Sequence, residues 1–399
     1  MRPHTMSLTD QEYSFVTNPI DVALGLPNRA YTDNSFLSGE YEKVFGCNWI
    51  GIAFEQDVAE PGDMFPIIAA GQPLLVVRGQ DNQVRVFHNV CRHRGAKLLD
   101  KPCSKKRFIV CPYHAWSYSL EGVLKSTPNF SGPKNHNHPT LEEGTQNLVE
   151  VRSGIWNHVV MVNLSGDAIP LRDWTARLDE HWAAFDIANM APGGSMTFDF
   201  NSNWKLVLEN YLESYHLPKV HPVLNSFSPL QDHELVVDET FMGQLSLNYR
   251  PSDGGNVLPR FPNLPEERQA TGEYLLLFPS LMVSVTPDHY RVTIVTPISV
   301  GVTHQRWQFY FVGSESSEEQ YADARESVVT RVASYTKEDI EILERLQAGR
   351  SSSGYDGGRF SPFHEITTHH FQKLVARSLH GGVNLPKNRQ IFTRADNRT

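Results

Sequence analysis

"CRHRGAKLLDKPCSKKRFIVCPYHAW" runs from Cys91 to Trp116 and decides how the first half of the chain folds. It holds four residues of ligand type: Cys91-x-His93 and, seventeen residues on, Cys111-x-x-His114. Upstream, "PLLVVRGQDNQVRVFHNV" (Pro73–Val90) is two β-rich runs around a polar Asp81-Asn82 turn, a hairpin signal. Downstream, "FIVCPYHAWSYSLEGVLK" (Phe108–Lys125) repeats the pattern with Glu121-Gly122 at its turn, and "IWNHVVMVNL" (Ile155–Leu164) closes a small all-β unit. Each Cys/His pair is thereby predicted at a hairpin tip, and two facing tips can enclose a metal centre.

Chance is a poor account of four ligand-type residues at two matched tips. Structural zinc is the serious competitor, because two thiolates and two imidazoles satisfy tetrahedral Zn²⁺. Zinc modules, however, pair C-x₂₋₄-C with H-x₃₋₅-H, not C-x-H with C-x-x-H. The stretch closely resembles a Rieske domain, including Gly95, Pro112 and Trp116. That resemblance implies a [2Fe–2S] cluster with Cys91 and Cys111 on one iron and His93 and His114 on the other. Rieske proteins of the respiratory type carry two more cysteines, which form a disulfide between the tips. Ala96 and Tyr113 stand at those positions, so the resemblance is to the branch of Rieske oxygenases and their ferredoxins. Cys103 reads as a bystander thiol between the tips, and Cys47 as a small buried hydrophobe.

The chain has 399 residues, 40% hydrophobic and 20% charged, as expected of a globular protein of two or three domains. Its net charge of −9 argues against nonspecific nucleic-acid or anionic-membrane binding. No run approaches the ~18 apolar residues of a membrane span. The start, "MRPHTMSLTDQEYSF", lacks the apolar core of a signal peptide. Four cysteines in so long a chain are no disulfide scaffold and suit a reducing cytoplasm. A cytoplasmic protein with no membrane and no nucleic-acid partner is therefore expected.

Periodicity divides the chain into a helical arm over 1–45, ending near Val44, the β unit over 46–165, and a region over 166–399, on which the arm is expected to pack. In the last, "LRDWTARLDEHWAAF" and "NWKLVLENYLESYH" have helical spacing, while "GEYLLLFPSLMVSV", "YRVTIVTPI" and "RWQFYFVG" read as strands of an antiparallel sheet. A last long helix is predicted from about Glu318 to Leu346, then a Gly/Ser-rich loop over 350–360 and a weakly ordered tail after Gly381. The fold class is α+β.

The second constellation is "NWKLVLENYLESYHLPKVHP" (Asn203–Pro222). With seventeen histidines in the chain, His216-x₄-His221 says little by itself. Glu209, Glu213 and His216 lie at i, i+4 and i+7, one face of a helix. Pro218 disfavours helical geometry at Leu217, so the helix is predicted to end near His216 and the chain to fold back, aiming His221 at the same point. A solvated Glu-rich face with a capping His is the plain alternative.

Beside the Rieske motif, this stretch resembles the catalytic segment of Rieske-type non-haem iron oxygenase alpha (terminal oxygenase) subunits. Both show an Asn-Trp-Lys start, Glu-Asn-aromatic, a carboxylate, and then two histidines. The resemblance implies that His216 and His221 belong to a 2-His-1-carboxylate triad on mononuclear Fe(II). For the third ligand, Glu338, Asp339, Glu341, Asp356 and Glu365 are available. "KEDIEILERLQAG" matches the family's acidic-Asp-x₇-Gln-x-Gly pattern, which picks Asp339. Glu338 and Glu341 lie about 100° and 200° around the helix from Asp339 and are expected to point elsewhere.

Glu213 occupies the position the family uses as an electron bridge between a Rieske histidine of the neighbouring subunit, here His114, and an iron histidine, here His216. Most members have Asp there; Glu is found in a subset that looks like the carnitine, choline and glycine-betaine oxygenases. Glu209 and Asn210, the latter normally close to iron, are read as supporting residues.

The resemblance implies a terminal oxygenase that takes electrons from a separate NAD(P)H-dependent reductase of flavin/ferredoxin type. It would use O₂ to hydroxylate a small organic substrate, as a homotrimer (α₃, or α₃β₃). Glu213 and the single-chain length lean to monooxygenation of an aliphatic quaternary amine. Aromatic-ring dihydroxylation or aromatic demethylation is the rival, and a Rieske electron carrier without oxygenase activity a remote third. A cation cage would draw on aromatics such as Tyr211, Phe227, Tyr249 and Tyr290, among which sequence does not choose.

Overall fold

Short β-branched runs separated by polar turns build the first sheet. The computed structural model describes residues 7–136, 138, 141, 144–250, 257–355 and 357–381. Residues 48–168 form one compact unit, and the segments before and after them together form a second. The first unit contains β1 (Ile50–Phe54), β2 (Met64–Ala69), β3 (Gln72–Arg78), β4 (Val84–His88), β5 (Ile109–Val110), β6 (Ser117–Tyr118), β7 (Leu124–Ser126), β8 (Glu150–Trp156) and β9 (Val159–Asn163). A six-stranded sheet runs in the order β1-β9-β8-β4-β3-β2, and β5-β6-β7 form a smaller one. The β3–β4 hairpin pairs Leu74 with His88 and Arg78 with Val84. The stretch that closes the unit is itself a hairpin: Asn157 and His158 take φ of 44° and 68° between β8 and β9. Two consecutive left-handed residues suit the tight turn that right-twisted strands require. Leu75, Val77, Phe87, Trp116 and Tyr118 form a core that includes Cys91 and Cys111.

The second unit opens with α1 (Asp10–Thr17), α2 (Arg29–Thr32) and α3 (Asn34–Glu40), the last running into a wide turn at Tyr41–Phe45. Glu40 ties this arm down: its fully buried carboxylate meets Lys205 Nζ at 2.5 Å and accepts from Trp204 Nε1 at 2.7 Å. Cys47, expected to be buried, is exposed; its Sγ is 3.6 Å from the Glu42 carbonyl at the end of the arm. Then come α4 (Leu171–His181), β10 (Ala191–Phe200), α5 (Trp204–Tyr211), α6 (Leu217–Val220) and α7 (Pro222–Phe227). β11 (His233–Val237), β12 (Phe241–Ser246), β13 (Gly272–Leu277), β14 (Leu281–Val285), β15 (His289–Ser299) and β16 (Val302–Phe311) follow, and α8 (Ala322–Gly349) and α9 (Ile366–Gly381) end the described chain. The strands form one antiparallel sheet, β10-β16-β15-β14-β13-β12-β11. α8 lies on it through Val328, against Trp307, Phe309 and Phe311.

The helix predicted as the last long one is α8, and α9 is a further helix beyond it. Its buried set mixes Thr367, Thr368, His369 and Gln372 with Phe371, Leu374 and Val375, which blurs the apolar period. The tail after Gly381 lies outside the described residues. Among the described residues no helix is long and apolar enough to cross a membrane.

Candidate metal centres

The two Cys/His tips are copies of one loop. Cys91 N donates to Ala96 O at 2.8 Å and Gly95 N to Cys91 O at 3.1 Å; Cys111 N donates to Trp116 O and Ala115 N to Cys111 O at the same distances. The closing residue is left-handed in both, Gly95 at φ 74° and Ala115 at φ 55°. Two matched loops thus present a buried sulfur first and a partly exposed imidazole after it. His93 Nδ1 and His114 Nδ1 come to 3.2 Å of each other, and His93 is stacked flat on Trp116. Burial pushes the Cys91 thiol up, and Cys111 beside it adds to that. The two loops are linked by a hydrogen bond: Arg94 Nη1 of one donates to Tyr113 Oη of the other at 3.3 Å.

The geometry discriminates between zinc and a two-iron cluster. A tetrahedral zinc site brings all four donors within about 4 Å of one another, given metal–ligand bonds of about 2.0–2.3 Å. Among the described residues, the only group of three or more His, Cys, Asp or Glu whose ligand atoms lie within 4.8 Å of one another is His216, His221 and Asp339. Cys91, His93, Cys111 and His114 therefore do not surround a single point. Two nitrogens converging at one place and two buried thiols at another fit one iron each.

The second centre is built on a broken helix. Asn203 caps α5, its side chain accepting from Lys205 N at 3.0 Å. α5 stops at Tyr211, earlier than predicted, so Glu209 does not share a face with Glu213 and His216. The reason is local: Glu213 Oε2 accepts from the backbone N–H of Tyr215 and, at 3.2 Å, of His216, a side-chain turn that competes with helix. Pro218 does not end α5; it sits in the first turn of α6, and Pro222 opens α7. His221 falls at the joint between them, with φ −122° and ψ 60°.

This bend brings the two imidazoles together across Asp339 of α8. His221 Nε2 is 2.9 Å and His216 Nε2 3.8 Å from Asp339 Oδ1. The other nitrogen of each ring is taken by a carboxylate: His216 Nδ1 by Glu213 Oε1 at 2.7 Å, and His221 Nδ1 by Glu338 Oε2 at 2.6 Å. Each ring thus turns Nε2 inward. Burial pulls the His221 pKa down, but Asp339 and Glu338 outweigh it and hold it up. Two inward nitrogens and one carboxylate oxygen form the donor set that non-haem Fe(II) takes while keeping open positions.

Glu341 points to solvent and pairs with Arg345, as expected, but Glu338 does not leave the site; it reaches the far nitrogen of His221. Glu365 instead accepts from Ser361 N, and Asp356 lies outside the described residues. Glu209 is buried away from the cluster, taking Tyr31 Oη at 2.6 Å and Gln372 Nε2 at 2.9 Å. Asn210 lines the cavity onto which the cluster opens.

That cavity holds about 130 Å³ of internal space. Tyr211, Tyr274, Tyr335 and Arg291 stand on its wall, and of these only Tyr211 is among the aromatics expected from sequence. Phe227 packs between Tyr249 and Tyr335, at 5.8 and 6.3 Å between ring centres. Tyr290, also named, is fully buried beside Trp182 and Tyr310, its neighbour Arg291 alternating to the cavity face. The signal for Arg291 was a lone cation inside the apolar run "HYRVTIV".

Two family models match the chain: the Rieske [2Fe–2S] domain over residues 48–142 and the ring hydroxylating alpha subunit catalytic domain over 187–381. The chain is 29% identical to the carnitine monooxygenase oxygenase subunit of Escherichia coli, covering 91% of this chain and 96% of that one. It is 26% identical to the chloroplastic choline monooxygenase of Arabidopsis thaliana, covering 90% and 84%. Among solved structures, a quaternary ammonium Rieske monooxygenase in complex with its substrate γ-butyrobetaine matches at TM-score 0.74 and 25% identity, covering 94% and 99%. Naphthalene 1,2-dioxygenase from Rhodococcus sp. shares the fold at TM-score 0.72 and 18% identity, covering 94% and 100%. The chain belongs to the Rieske-type non-haem iron oxygenases: it is an alpha subunit, an oxidoreductase whose cofactors are a Rieske [2Fe–2S] cluster and a mononuclear iron.

Proposed function

We propose that this chain is the oxygenase component of a monooxygenase acting on an aliphatic quaternary amine of the betaine, carnitine or choline type. One observation carries the reading: the cavity onto which His216, His221 and Asp339 open is walled by the rings of Tyr211, Tyr274 and Tyr335. Aromatic faces attract a quaternary ammonium, which cannot donate hydrogen bonds and is recognised by its charge and shape. The likeness to carnitine and choline monooxygenases supports it.

In this reading Cys91, His93, Cys111 and His114 hold the cluster, and His216, His221 and Asp339 hold the iron. When bound, the two supply the one-electron and oxygen chemistry; the protein supplies orientation and exclusion of water. Glu338 and Glu213 fix the two imidazoles by accepting from Nδ1. Glu213 is also the electron bridge, facing His114 of the partner subunit in a homotrimer. Asn210 helps to shape the iron side of the cavity. Electrons arrive from a separate reductase of flavin/ferredoxin type, and the protein works in the cytoplasm.

The test is O₂ uptake and hydroxylated product with a surrogate reductase, across betaines, carnitine, choline and simple aromatic acids. Turnover of quaternary amines is expected. Turnover of aromatic acids alone would replace this reading with aromatic hydroxylation or demethylation.

A further inference from the structure

The tyrosine-walled cavity also holds a buried cation. Arg291 stands on β15, only 6% exposed, with its guanidinium carbon 4.7 Å from the centre of the Trp307 ring. Three buried or half-buried arginines of this unit show the usual solution, a carboxylate partner: Arg268 has Glu273 at 3.2 Å, Arg177 has Asp238 at 3.3 Å, Arg350 has Glu209 at 3.8 Å. Among the described residues, none lies within ion-pair distance of Arg291. Its polar neighbour, Tyr211, already donates its hydroxyl hydrogen to Val283 O at 2.9 Å and can offer Arg291 only a neutral oxygen. A guanidinium out of water without a counter-charge is costly, and the face of Trp307 offsets only part of that.

We propose that Arg291 binds the carboxylate of the substrate, so that the site selects a zwitterion, a quaternary ammonium bearing a carboxylate, over a quaternary ammonium alcohol. The inference rests on the quaternary-amine reading and narrows it. The argument is one of charge. A ligand carrying only a cation brings like charge into a poorly solvated cavity with Arg291 and leaves the guanidinium unpaired. A neutral ring also leaves it unpaired. A zwitterion puts its ammonium among the tyrosines and its carboxylate on the guanidinium fork, whose planar donors match a carboxylate two to two. Arg291 is thus a specificity-determining residue that touches the substrate at the end that does not react.

The experiment compares wild type, Arg291→Gln and Arg291→Lys as full-length, cluster- and iron-loaded protein with a surrogate reductase. The probes are γ-butyrobetaine, carnitine, glycine betaine, choline and benzoate. Binding is read separately by calorimetry under nitrogen, and integrity by Rieske absorbance and iron content. Arg291→Gln is expected to weaken binding and raise KM for the betaines by about 10- to 100-fold, the worth of a charged hydrogen-bonded pair. The effect on kcat should be smaller, and Arg291→Lys should recover part of the loss. Choline should be a poor ligand of wild type and little changed by either variant. Equal losses for betaines and choline, or wild-type binding of choline as tight as that of the betaines, would overturn the assignment while leaving the quaternary-amine reading intact. If benzoate is the ligand and loses its binding in Arg291→Gln, the quaternary-amine reading falls and carboxylate recognition by Arg291 stands.

Discussion

Glu338 Oε2 lies 2.6 Å from Nδ1 of His221, while Nε2 of the same ring faces Asp339 Oδ1 at 2.9 Å. Adjacent residues of α8 therefore hold the two nitrogens of one imidazole. Partners of this kind set the tautomer and raise ligand basicity, and their loss costs about 10- to 100-fold in metal affinity. Glu338→Ala is expected to weaken iron binding by that factor, read by anaerobic iron titration. Glu338→Gln, which still accepts from Nδ1, should lose less. The Rieske absorbance should not change in either.

Asp339 is the only carboxylate in the inner cluster. Asp339→Ala should leave two imidazoles that cannot hold iron, with the Rieske absorption kept in full. An iron assay and a visible spectrum on one preparation decide it. Full iron content with normal turnover would remove Asp339 from the ligand set.

Glu213 has two duties. One carboxylate oxygen takes His216 Nδ1 at 2.7 Å, and the other closes the turn through the backbone N–H of Tyr215 and His216. Glu213→Gln keeps the length and an acceptor for Nδ1 but loses the charge. Both metals should stay, and substrate-dependent O₂ uptake should fall by about 100-fold. Rapid-mixing spectra should then show a Rieske cluster that remains reduced when substrate and O₂ are added. Unchanged uptake would rule Glu213 out as the bridge.

What could be read from sequence was what lies close along the chain. Cys91–His93 and Cys111–His114 are local pairs on local loops, and His216–His221 spans one bend, so spacing carried them. Asp339, 118 residues from His221, was legible only through a pattern of neighbours. Helical geometry sets Glu338 about 100° from Asp339, which suggests a residue that points elsewhere. A Glu side chain nevertheless reaches around to the back of a ring that Asp339 meets from the front. The end of α5 was misplaced because periodicity registers apolar spacing and not the side-chain turn that Glu213 makes with its own backbone. Arg291, Tyr274 and Tyr335 meet only through strand register and the packing of α8, which no local pattern encodes.

The strand that carries Arg291 begins at a hydrogen-bonded carboxylate with a pH signature. Asp288 Oδ1 meets His289 Nδ1 at 2.6 Å and accepts from Thr286 Oγ1 at 2.8 Å. Burial raises the Asp288 carboxyl, but His289 and Thr286 outweigh it and hold it down at about 2, below the ordinary 3.8. A carboxylate depressed on folding stabilises the protein fully above its unfolded pKa. That contribution fades as pH falls from about 4 through about 2. Asp288→Asn is therefore expected to cost on the order of 2 kcal/mol at pH 7. Its deficit relative to wild type should shrink as pH falls below about 4. Urea midpoints followed by tryptophan fluorescence across that range check both the size and the sign. A deficit that grows on acidification would mean that the Asp288 carboxyl is raised, not lowered, by its surroundings.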